Sequence, residues 1–202
     1  NAGKLGGTPR TIEGPLYVEN APISDGYAEM VTDEPGDPME LTGVVKDQQG
    51  NPIDNALVEI WHASETGGYS HFDPTLAEFA FRRGIRTSAD GAYKAKSIMP
   101  SGYAVPPGGS SETLLGQLGR HGNRPAHIHF FVSAPGYKHL TTQINIAGDP
   151  FTYDDFAFAT RDELVVESSD VDGIAKVKFD LTLVKSDDDD DTARAARNRM
   201  AG

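Results

Sequence analysis

Residues 124–131 read Arg-Pro-Ala-His-Ile-His-Phe-Phe, and this run predicts a buried strand that carries two histidines on one face. Strand residues two positions apart point to the same side of a sheet, so His127 and His129 project together. Neutral imidazole is a common ligand of first-row metal ions. Buried imidazoles need partners, which are here either a metal ion or hydrogen-bonding groups on a half-exposed strand. The segment by itself leaves both interpretations open.

The composition indicates one globular domain and excludes several kinds of site. The chain has 202 residues, with 22 glycines and 13 prolines, which favours a turn-rich all-β domain. It has no cysteine, so disulfides, thiolate metal sites and cysteine nucleophiles are excluded. No apolar run reaches the length of a membrane span, and we expect a cytoplasmic location. The net charge of −12 argues against nucleic acid and anionic membranes as partners.

Strand-like runs account for most of the remaining pattern, and several alternate apolar and polar residues as half-buried strands do. They predict an all-β fold, a two-sheet antiparallel β-sandwich with long loops and little helix. One short helix is predicted at 111–119, with Ser111 as its cap and Leu114, Leu115 and Leu118 on one face. The predicted strands are 41–47, 56–63, 91–98, 126–134, 141–147, 163–168 and 175–184.

The two ends of the chain differ from this pattern. Residues 1–40 are rich in glycine, proline and acidic residues without a sustained period, which predicts an extended arm belonging to a domain over 1–185. Residues 186–202 include five consecutive aspartates from Asp187 to Asp191. Such a run is typical of a solvated tail, so we predict that 186–202 is an acidic, disordered segment.

If the histidine pair binds a metal, the other ligands must come from elsewhere in the chain. Carboxylates would indicate a facial-triad iron(II) site. Two tyrosines in glycine-rich loops compete with them: Tyr69 in Gly67-Gly68-Tyr69-Ser70 and Tyr103 in Ser101-Gly102-Tyr103-Ala104. Tyrosine is more often a structural residue than a ligand, so these residues alone do not decide between the two ligand sets.

Longer motifs around these residues resemble the catalytic domain of intradiol ring-cleaving dioxygenases, in particular bacterial catechol 1,2-dioxygenases. The resemblance covers roughly 7–184 and includes both histidines and both tyrosines in context and in order. The motifs are GTPRTIEGPLYV (7–18), VEIWHA (58–63), GGYSHFDP (67–74), PSGYAVPP (100–107), LGQLGRHGNRPAHIHFFVSAPGY (115–137), LTTQINIAGDP (140–150) and FTYDDFAFATRDELVV (151–166).

This resemblance implies a mononuclear non-haem iron(III) cofactor held by four side chains: Tyr69, Tyr103, His127 and His129. The donor set suits that ion, because iron(III) favours anionic oxygen ligands. A free phenol has a pKa near 10, so ionising it at neutral pH takes about 4 kcal/mol, which a trivalent cation can supply.

The resemblance also implies the reaction and its other residues. An aromatic diol, catechol, is cleaved by O2 to cis,cis-muconate, with both oxygen atoms entering the product and Tyr103 accepting a substrate proton. Arg124 corresponds to an arginine that stabilises negative charge, and Gln143 to a glutamine facing the iron. Five residues fall where the family's pocket residues lie: Ile12, Val105, Pro106, Phe156 and Ala157.

Two alternatives remain open at this stage. The same chemistry could act on hydroxyquinol or a chlorocatechol, or the domain could be a non-catalytic β-sandwich binding module. In the family an N-terminal helical region forms the dimer interface, and no such region precedes the resemblance in this sequence. The sequence therefore leaves monomer and homodimer undecided.

Overall fold

A computed structural model describes residues 6–31 and 33–186, so the predicted acidic tail lies, apart from Ser186, outside the described residues. The chain forms strands, one α-helix and one short 3₁₀ helix over Asp162–Leu164. In chain order the other elements are β1 (Ile23–Asp25), β2 (Tyr27–Glu29), β3 (Pro38–Asp47), β4 (Leu57–His62), β5 (Arg82–Arg86), β6 (Ala92–Ile98), β7 (Tyr103–Ala104), α1 (Ser110–Gln117), β8 (Asn123–Arg124), β9 (His127–Ser133), β10 (Leu140–Ile146), β11 (Val165–Val166), β12 (Ser168–Val171), β13 (Ile174–Lys178) and β14 (Leu181–Leu183).

The predicted two-sheet β-sandwich is confirmed. The first sheet has the order β1-β5-β4-β9-β10-β11, and the second has the order β12-β13-β3-β6-β2 with β14 also paired to β3. Antiparallel pairs include β4 with β9 in the first sheet and β3 with β6 in the second. Parallel pairs occur as well, including β1 with β5 and β13 with β3, so both sheets are mixed. A small hairpin of β7 and β8 stands apart from them.

Strand β9 is buried on both of its faces. Its residues Ile128, Phe130 and Val132 belong to the apolar core between the sheets. The intervening residues His127, His129 and Phe131 point the other way and are also buried. On that second face Phe131 packs with Trp61 and Tyr69, under partly buried residues of the arm. One strand thus serves both the core and the candidate metal centre.

All seven predicted runs contain strand residues, but two of them are divided between different elements. Residues 163–168 contain part of the 3₁₀ helix, then β11, then the start of β12. The run 175–184 is divided into β13 and β14. Strand β5 was not predicted, because Arg-Arg-Gly-Ile-Arg has no apolar alternation and forms a strand through its neighbours. Within the predicted arm, β1 and β2 pair with β5 and β6.

The predicted helix exists, but its predicted cap is wrong. The N-cap is Gly109, which makes no side-chain hydrogen bond, and no residue of α1 is buried. Leu114 is 57% exposed and Leu118, just beyond the helix, is 63% exposed. Leu115 is partly buried, and its Cδ1 atom would lie 3.3 Å from a Cβ atom placed on Gly122. Within the described residues, no helix is long and apolar enough to cross a membrane.

The division between β13 and β14 follows from a close crossing at Gly43. Both strands pair with β3, and Phe179 and Asp180 bridge them. A Cβ atom on Gly43 would lie 1.9 Å from the Phe179 carbonyl oxygen. The same carbonyl accepts a hydrogen bond from the Tyr93 hydroxyl at 2.6 Å, and the Asp180 carboxylate accepts from the Val44 amide at 3.1 Å. The absence of a side chain at position 43 allows this contact.

A polar contact joins the two sheets through the buried core. The Nδ1–H of His62, on β4, donates to the Ala63 carbonyl at 2.7 Å, and its Nε2 accepts from the Ser97 hydroxyl, on β6, at 2.7 Å. Burial lowers the pKa of His62 to about 4, and the nearby charge of Arg82 acts in the same direction. The imidazole is therefore neutral in the folded protein at neutral pH.

We expect Gly43→Ala to destabilise the fold by about 3 kcal/mol, because the added methyl group overlaps a backbone oxygen that cannot move freely. Gly116→Ala is the matched control, since its Cβ would meet nothing within 4 Å on the exposed helix α1. That control should stabilise the chain by up to about 1 kcal/mol. Urea denaturation measures both changes, and equal stability of the two variants would contradict the steric explanation.

The neutral His62 makes stability depend on pH. An unfolded histidine titrates near 6.5, so between pH 6.5 and 4 the unfolded chain takes up a proton that folded His62 refuses, and stability falls as pH falls. Between pH 7 and pH 5 this costs about 2 kcal/mol. We expect the free energy of unfolding of the iron-free protein to fall between pH 7 and pH 5 by about 2 kcal/mol less in His62→Gln than in the wild type. Urea denaturation at the two pH values measures both decreases. Parallel losses would mean that His62 does not titrate in this way.

Candidate metal centre

The two histidines of β9 present their Nε2 atoms to the same point. The two nitrogens lie 3.1 Å apart, with the rings at 82° and their centroids 4.7 Å apart. The His127 Nδ1–H donates to the Pro125 carbonyl at 2.7 Å; because a carbonyl only accepts, the His127 Nε2 carries a lone pair. Ligands about 2.1 Å from one ion and at right angles to each other are about 3 Å apart. The observed spacing fits two adjacent ligands.

Both imidazoles are held in the neutral form that binds metals. Burial lowers the pKa of His127 to about 3, and the positive charge of Arg124 contributes to the decrease. Burial also lowers the pKa of His129 well below its usual range, and the adjacent His127 adds a smaller decrease. Within the described part of the chain, the His129 Nδ1 atom has no hydrogen-bond partner. The facing Nε2 atoms of the two neutral imidazoles are placed to share one cation.

Stacking orients the His129 ring where a hydrogen bond does not. The indole of Trp61 lies parallel to it, at 5° and 4.7 Å between centroids. Trp61 is buried, as its large apolar ring favours. Trp61 lies opposite His129 in the β4–β9 register, so its ring also supports a candidate ligand. Gly14 of the arm also lies close to the ring, since a Cβ atom on this glycine would be 3.9 Å from His129 Cε1.

The structure brings both predicted tyrosines to the histidine pair. The Tyr69 hydroxyl is 3.5 Å from His127 Nε2. The rings of Tyr69 and Tyr103 meet edge to face with centroids 5.6 Å apart, and the Tyr103 ring is 5.7 Å from that of His127. Gly67 allows this approach: it has φ +85°, and a Cβ there would lie 2.9 Å from Tyr103 Cβ.

The two phenols differ in burial. Tyr69 is buried, whereas Tyr103, on the β7–β8 hairpin, is partly exposed. Burial raises the pKa of Tyr69 far above its usual value, with a smaller contribution from Tyr103. The Tyr69 phenol therefore keeps its proton until a strong Lewis acid displaces it.

Carboxylates do not assemble around the histidine pair in the described structure. Across 6–31 and 33–186, no group of three or more histidine, cysteine, aspartate or glutamate side chains is arranged to hold a metal. The facial-triad alternative therefore receives no support from the described residues. Two neutral imidazoles and two phenols form a donor set that suits a hard trivalent ion such as iron(III) better than a soft or divalent one.

Arg124 connects the histidine pair to a buried carboxylate and an amide. Its Nη1 donates to His127 Nε2 at 3.2 Å, and its Nη2 donates to Gln143 Oε1 at 3.0 Å. Its Nε and Nη2 also donate to the two oxygens of Asp155, at 3.1 and 3.2 Å. Burial alone lowers the pKa of Arg124, but the bonds to Asp155 and the nearby Tyr103 together outweigh burial and raise it above its ordinary value. The group is a permanent cation beside the site.

Asp155 was not predicted from the sequence. Its carboxylate is buried and also accepts the Ala157 and Ala159 amides, at 3.0 and 3.3 Å. It therefore holds both Arg124 and the turn that carries two of the predicted pocket residues. A buried arginine is expected to pair with a carboxylate. The chain has 30 acidic residues, and no sequence spacing identifies Asp155 among them as the partner of Arg124.

The predicted pocket residues lie on three segments near the hairpin and the arm. Ile12 is 45% exposed, on the arm two residues before Gly14. Val105 and Pro106 follow β7, where the Val105 amide donates to the Gly122 carbonyl at 2.9 Å. Phe156 and Ala157 are half-buried next to Asp155, and the Phe156 amide donates to the Asn123 carbonyl at 3.3 Å. All five keep some exposed surface, as lining residues require.

The remaining histidines stand apart from the centre. His62 joins the sheets, His121 contacts the Asp154 carboxylate at 3.0 Å, His71 packs against Phe79, and His139 packs against Phe131. None of these contacts involves the paired Nε2 atoms.

Comparisons with known proteins identify the family to which the chain is similar. The sequence model of the family described as "Dioxygenase" (Dioxygenase_C) matches residues 12–185. Catechol 1,2-dioxygenase 2 of Acinetobacter lwoffii is 60% identical over 165 residues, which are 81% of this chain and 60% of that protein. Chlorocatechol 1,2-dioxygenase of Rhodococcus opacus is 40% identical over 178 residues, covering 85% of this chain and 69% of that protein.

A solved structure gives the same result for the fold. The crystal structure of wild-type Acinetobacter radioresistens catechol 1,2-dioxygenase superimposes with a TM-score of 0.89 at 50% identity, over 92% of this chain and 65% of that one. The chain thus spans about 60% of the length of the Acinetobacter lwoffii relative. The matched region contains all four candidate ligands, and the chain belongs to the intradiol ring-cleaving dioxygenase family.

Proposed function

We propose that this chain carries an intradiol dioxygenase activity that cleaves catechol with O2 to cis,cis-muconate. The observation that supports it most directly is the convergence of Tyr69, Tyr103 and the two histidine Nε2 atoms in one buried place. The similarity to catechol 1,2-dioxygenases over most of this chain supports the substrate class. A cytoplasmic location stays a prediction from the sequence, and monomer and homodimer both remain open.

The proposed cofactor is a non-haem iron(III) ion held by Tyr69, Tyr103, His127 and His129. When bound, it supplies a Lewis-acidic, electron-accepting centre for the two oxygens of the diol. His127 and His129 contribute neutral nitrogens, and the phenolates contribute the negative charge that favours the ferric state. Tyr69 is the more deeply buried phenol and serves as the lasting ligand in this proposal.

Tyr103 is the proposed proton acceptor. Its ring is partly exposed on a two-stranded hairpin, so it can move with less disruption of packing than Tyr69 can. As the substrate binds, the Tyr103 phenolate oxygen takes one diol proton and a hydroxide takes the other and becomes water, so that the substrate reacts as a dianion. O2 then attacks the electron-rich ring, and both its atoms enter the product.

Arg124 is the proposed stabiliser of negative charge on the substrate. Asp155 holds the guanidinium through two bonds, which leaves Nη1 directed at the centre. Gln143 accepts from the same group and lies opposite His129 in the β9–β10 register. Ile12, Val105, Pro106, Phe156 and Ala157 are proposed to contact the apolar ring edge.

A chlorinated or hydroxylated catechol is the second candidate substrate. The chlorocatechol 1,2-dioxygenase of Rhodococcus opacus is 40% identical to this chain, and the catechol 1,2-dioxygenase 2 of Acinetobacter lwoffii is 60% identical. The higher identity favours catechol as the substrate. Turnover numbers for catechol, 4-chlorocatechol and hydroxyquinol, measured side by side, distinguish the two.

We expect iron-loaded protein to be coloured and to consume one O2 per catechol, because phenolates bound to iron(III) give charge-transfer absorption. Tyr69→Phe and Tyr103→Phe should each weaken the visible band, and the double variant should lose it. Tyr27→Phe, on distant β2, is the control and should leave colour and turnover unchanged. Absorption spectra, metal analysis and oxygen uptake are the measurements. A colourless protein containing one iron per chain would refute the tyrosine ligation.

Arg124→Lys should retain iron but lower kcat about a hundredfold, because lysine keeps the charge and loses the planar fork that spans Asp155 and Gln143. Asp155→Asn should lower kcat as well, since it releases the same guanidinium. Arg86→Lys, on β5, serves as the control. Steady-state kinetics with metal analysis test the idea, and unchanged kcat and KM in both variants would remove Arg124 from the mechanism.

A further inference from the structure

A cavity of about 460 Å³ lies where the arm meets the start of β10 and the end of β14. We call it the arm cavity. None of the four proposed iron ligands and none of the five proposed substrate contacts lines it. The arm cavity is therefore a separate space from the candidate metal centre. Its lining residues come from four parts of the chain: 7–10, 138–140, 161 and 182–184.

Three cationic side chains line the arm cavity: Arg10, Lys138 and Arg161. No aspartate or glutamate of the described residues lines it, and none of them forms an ion pair with these three cations. The whole chain has 30 acidic residues against 18 lysines and arginines, with a net charge of −12. The charge of the arm cavity is thus opposite in sign to that of the protein, and it favours anions.

Hydrogen bonds to backbone carbonyls hold both arginine side chains at the cavity wall. Arg10 Nη2 donates to the His139 carbonyl, and Arg161 Nε donates to the Arg10 carbonyl at 3.1 Å. Among residues 6–31 and 33–186, the two Nη atoms of Arg161 have no hydrogen-bond partner. Like charges in one small cavity repel each other, and a bound anion relieves that repulsion. The planar guanidinium also matches the two oxygens of a carboxylate.

Backbone bonds between the segments fix the cavity walls. Thr8 and Thr182 are joined twice, since the Thr8 amide donates to the Thr182 carbonyl at 3.0 Å and the Thr182 amide donates to the Thr8 hydroxyl at 2.8 Å. The Lys138 amide donates to the Val184 carbonyl at 2.8 Å. A site that is already formed loses little conformational freedom when a ligand binds, which favours affinity.

The rest of the lining is largely apolar. Leu140 and Leu183 are buried in the wall, and Pro9 and Val184 complete it. Apolar surface beside a few charged groups suits a ligand with a hydrocarbon skeleton and ionised ends, rather than a bare inorganic anion. Three positive charges also suit two carboxylates better than one.

We propose that the arm cavity is a second ligand site, which binds paired carboxylates such as those of a small organic dicarboxylic acid. Arg161 binds a carboxylate through its Nη atoms, Arg10 and Lys138 supply further positive charge, and the apolar wall contacts the carbon skeleton. cis,cis-Muconate, the product of the proposed reaction, belongs to this class. The site itself does not depend on the proposed function.

The test is isothermal titration calorimetry of the iron-loaded protein at low ionic strength, with cis,cis-muconate, succinate, acetate and inorganic phosphate as ligands. We expect the two dicarboxylates to bind at least about tenfold more tightly than acetate or phosphate. Arg161→Gln and Lys138→Gln should each weaken muconate binding about fivefold, the scale of one exposed charge pair. Arg161→Lys keeps the charge and should weaken it less. Lys96→Gln, at an exposed position of β6, is the matched control and should bind as the wild type does.

The chain itself offers a second source of paired carboxylates, because Val184 lines the arm cavity and Asp187–Asp191 follow shortly after it in the sequence. Replacing these five aspartates with asparagine distinguishes the two sources. Tighter muconate binding in that variant would support the site, with the chain's own carboxylates as competitors. Equal binding would support it with a free acid as the ligand.

Excess catechol without O2 separates the arm cavity from the metal centre, where the proposed function places catechol. Muconate binding that persists in its presence supports the inference. Muconate affinity that is unchanged in the Arg161 and Lys138 variants would overturn it, and so would equal affinities for acetate and the dicarboxylates, or no binding at all. The proposed function would stand in each of these cases. A protein that does not turn over catechol would instead overturn the proposed function, and the charge variants would still decide the arm cavity.

Discussion

The rest of this structure depends on one close contact between two uncharged imidazoles. The Nε2 atoms of His127 and His129 lie 3.1 Å apart on a buried face of the sheet. The two Nε2 atoms face each other, and burial holds both rings in their uncharged forms. Neighbouring groups hold the two rings in this arrangement. Trp61 supports one ring, the Pro125 carbonyl orients the other, and Tyr69 brings a phenol oxygen to the shared point.

Strand register supplies the precision of the arrangement. Arg82, Trp61, His129 and Gln143 occupy one row across β5, β4, β9 and β10, each opposite the next. Cross-strand neighbours in such a row are held about 5 Å apart by backbone hydrogen bonds. A cation, an aromatic support, a candidate ligand and an amide therefore keep their order without any loop to position them. Tyr69 and Asp155 come from loops, and Tyr103 comes from β7.

The sequence was sufficient for the parts of the molecule that depend on local pattern. The period of His127 and His129, the alternating runs and the glycines beside Tyr69 led to the sandwich and, with the family resemblance, to the four candidate ligands. What it missed depends on contacts between distant residues. Strand β5 has charged residues where a strand pattern has apolar ones, and Asp155 is one acidic residue among many. The cap of α1 was also missed, because the helix begins at Ser110 after a glycine cap that makes no side-chain hydrogen bond.

The break between β13 and β14 also lay beyond sequence analysis. The run from Ile174 to Leu183 has the alternation of one continuous strand, and only the crossing at Gly43 divides it. Glycine in a strand indicates close approach of another backbone, but the sequence does not say which. The same limit applies to the arm cavity, whose three cations lie far apart in the sequence and meet only in the folded chain.

The stack of Trp61 on His129 has a consequence for how this protein can be observed. The chain has a single tryptophan, and its ring lies parallel to a candidate ligand at 4.7 Å. An excited indole passes its energy readily to a coloured centre at such short range. Tryptophan fluorescence therefore originates at one known position, and iron bound at the proposed site would quench it. Under that proposal, the fluorescence of Trp61 reports how much of the protein carries iron, without an added label or a second tryptophan signal to subtract.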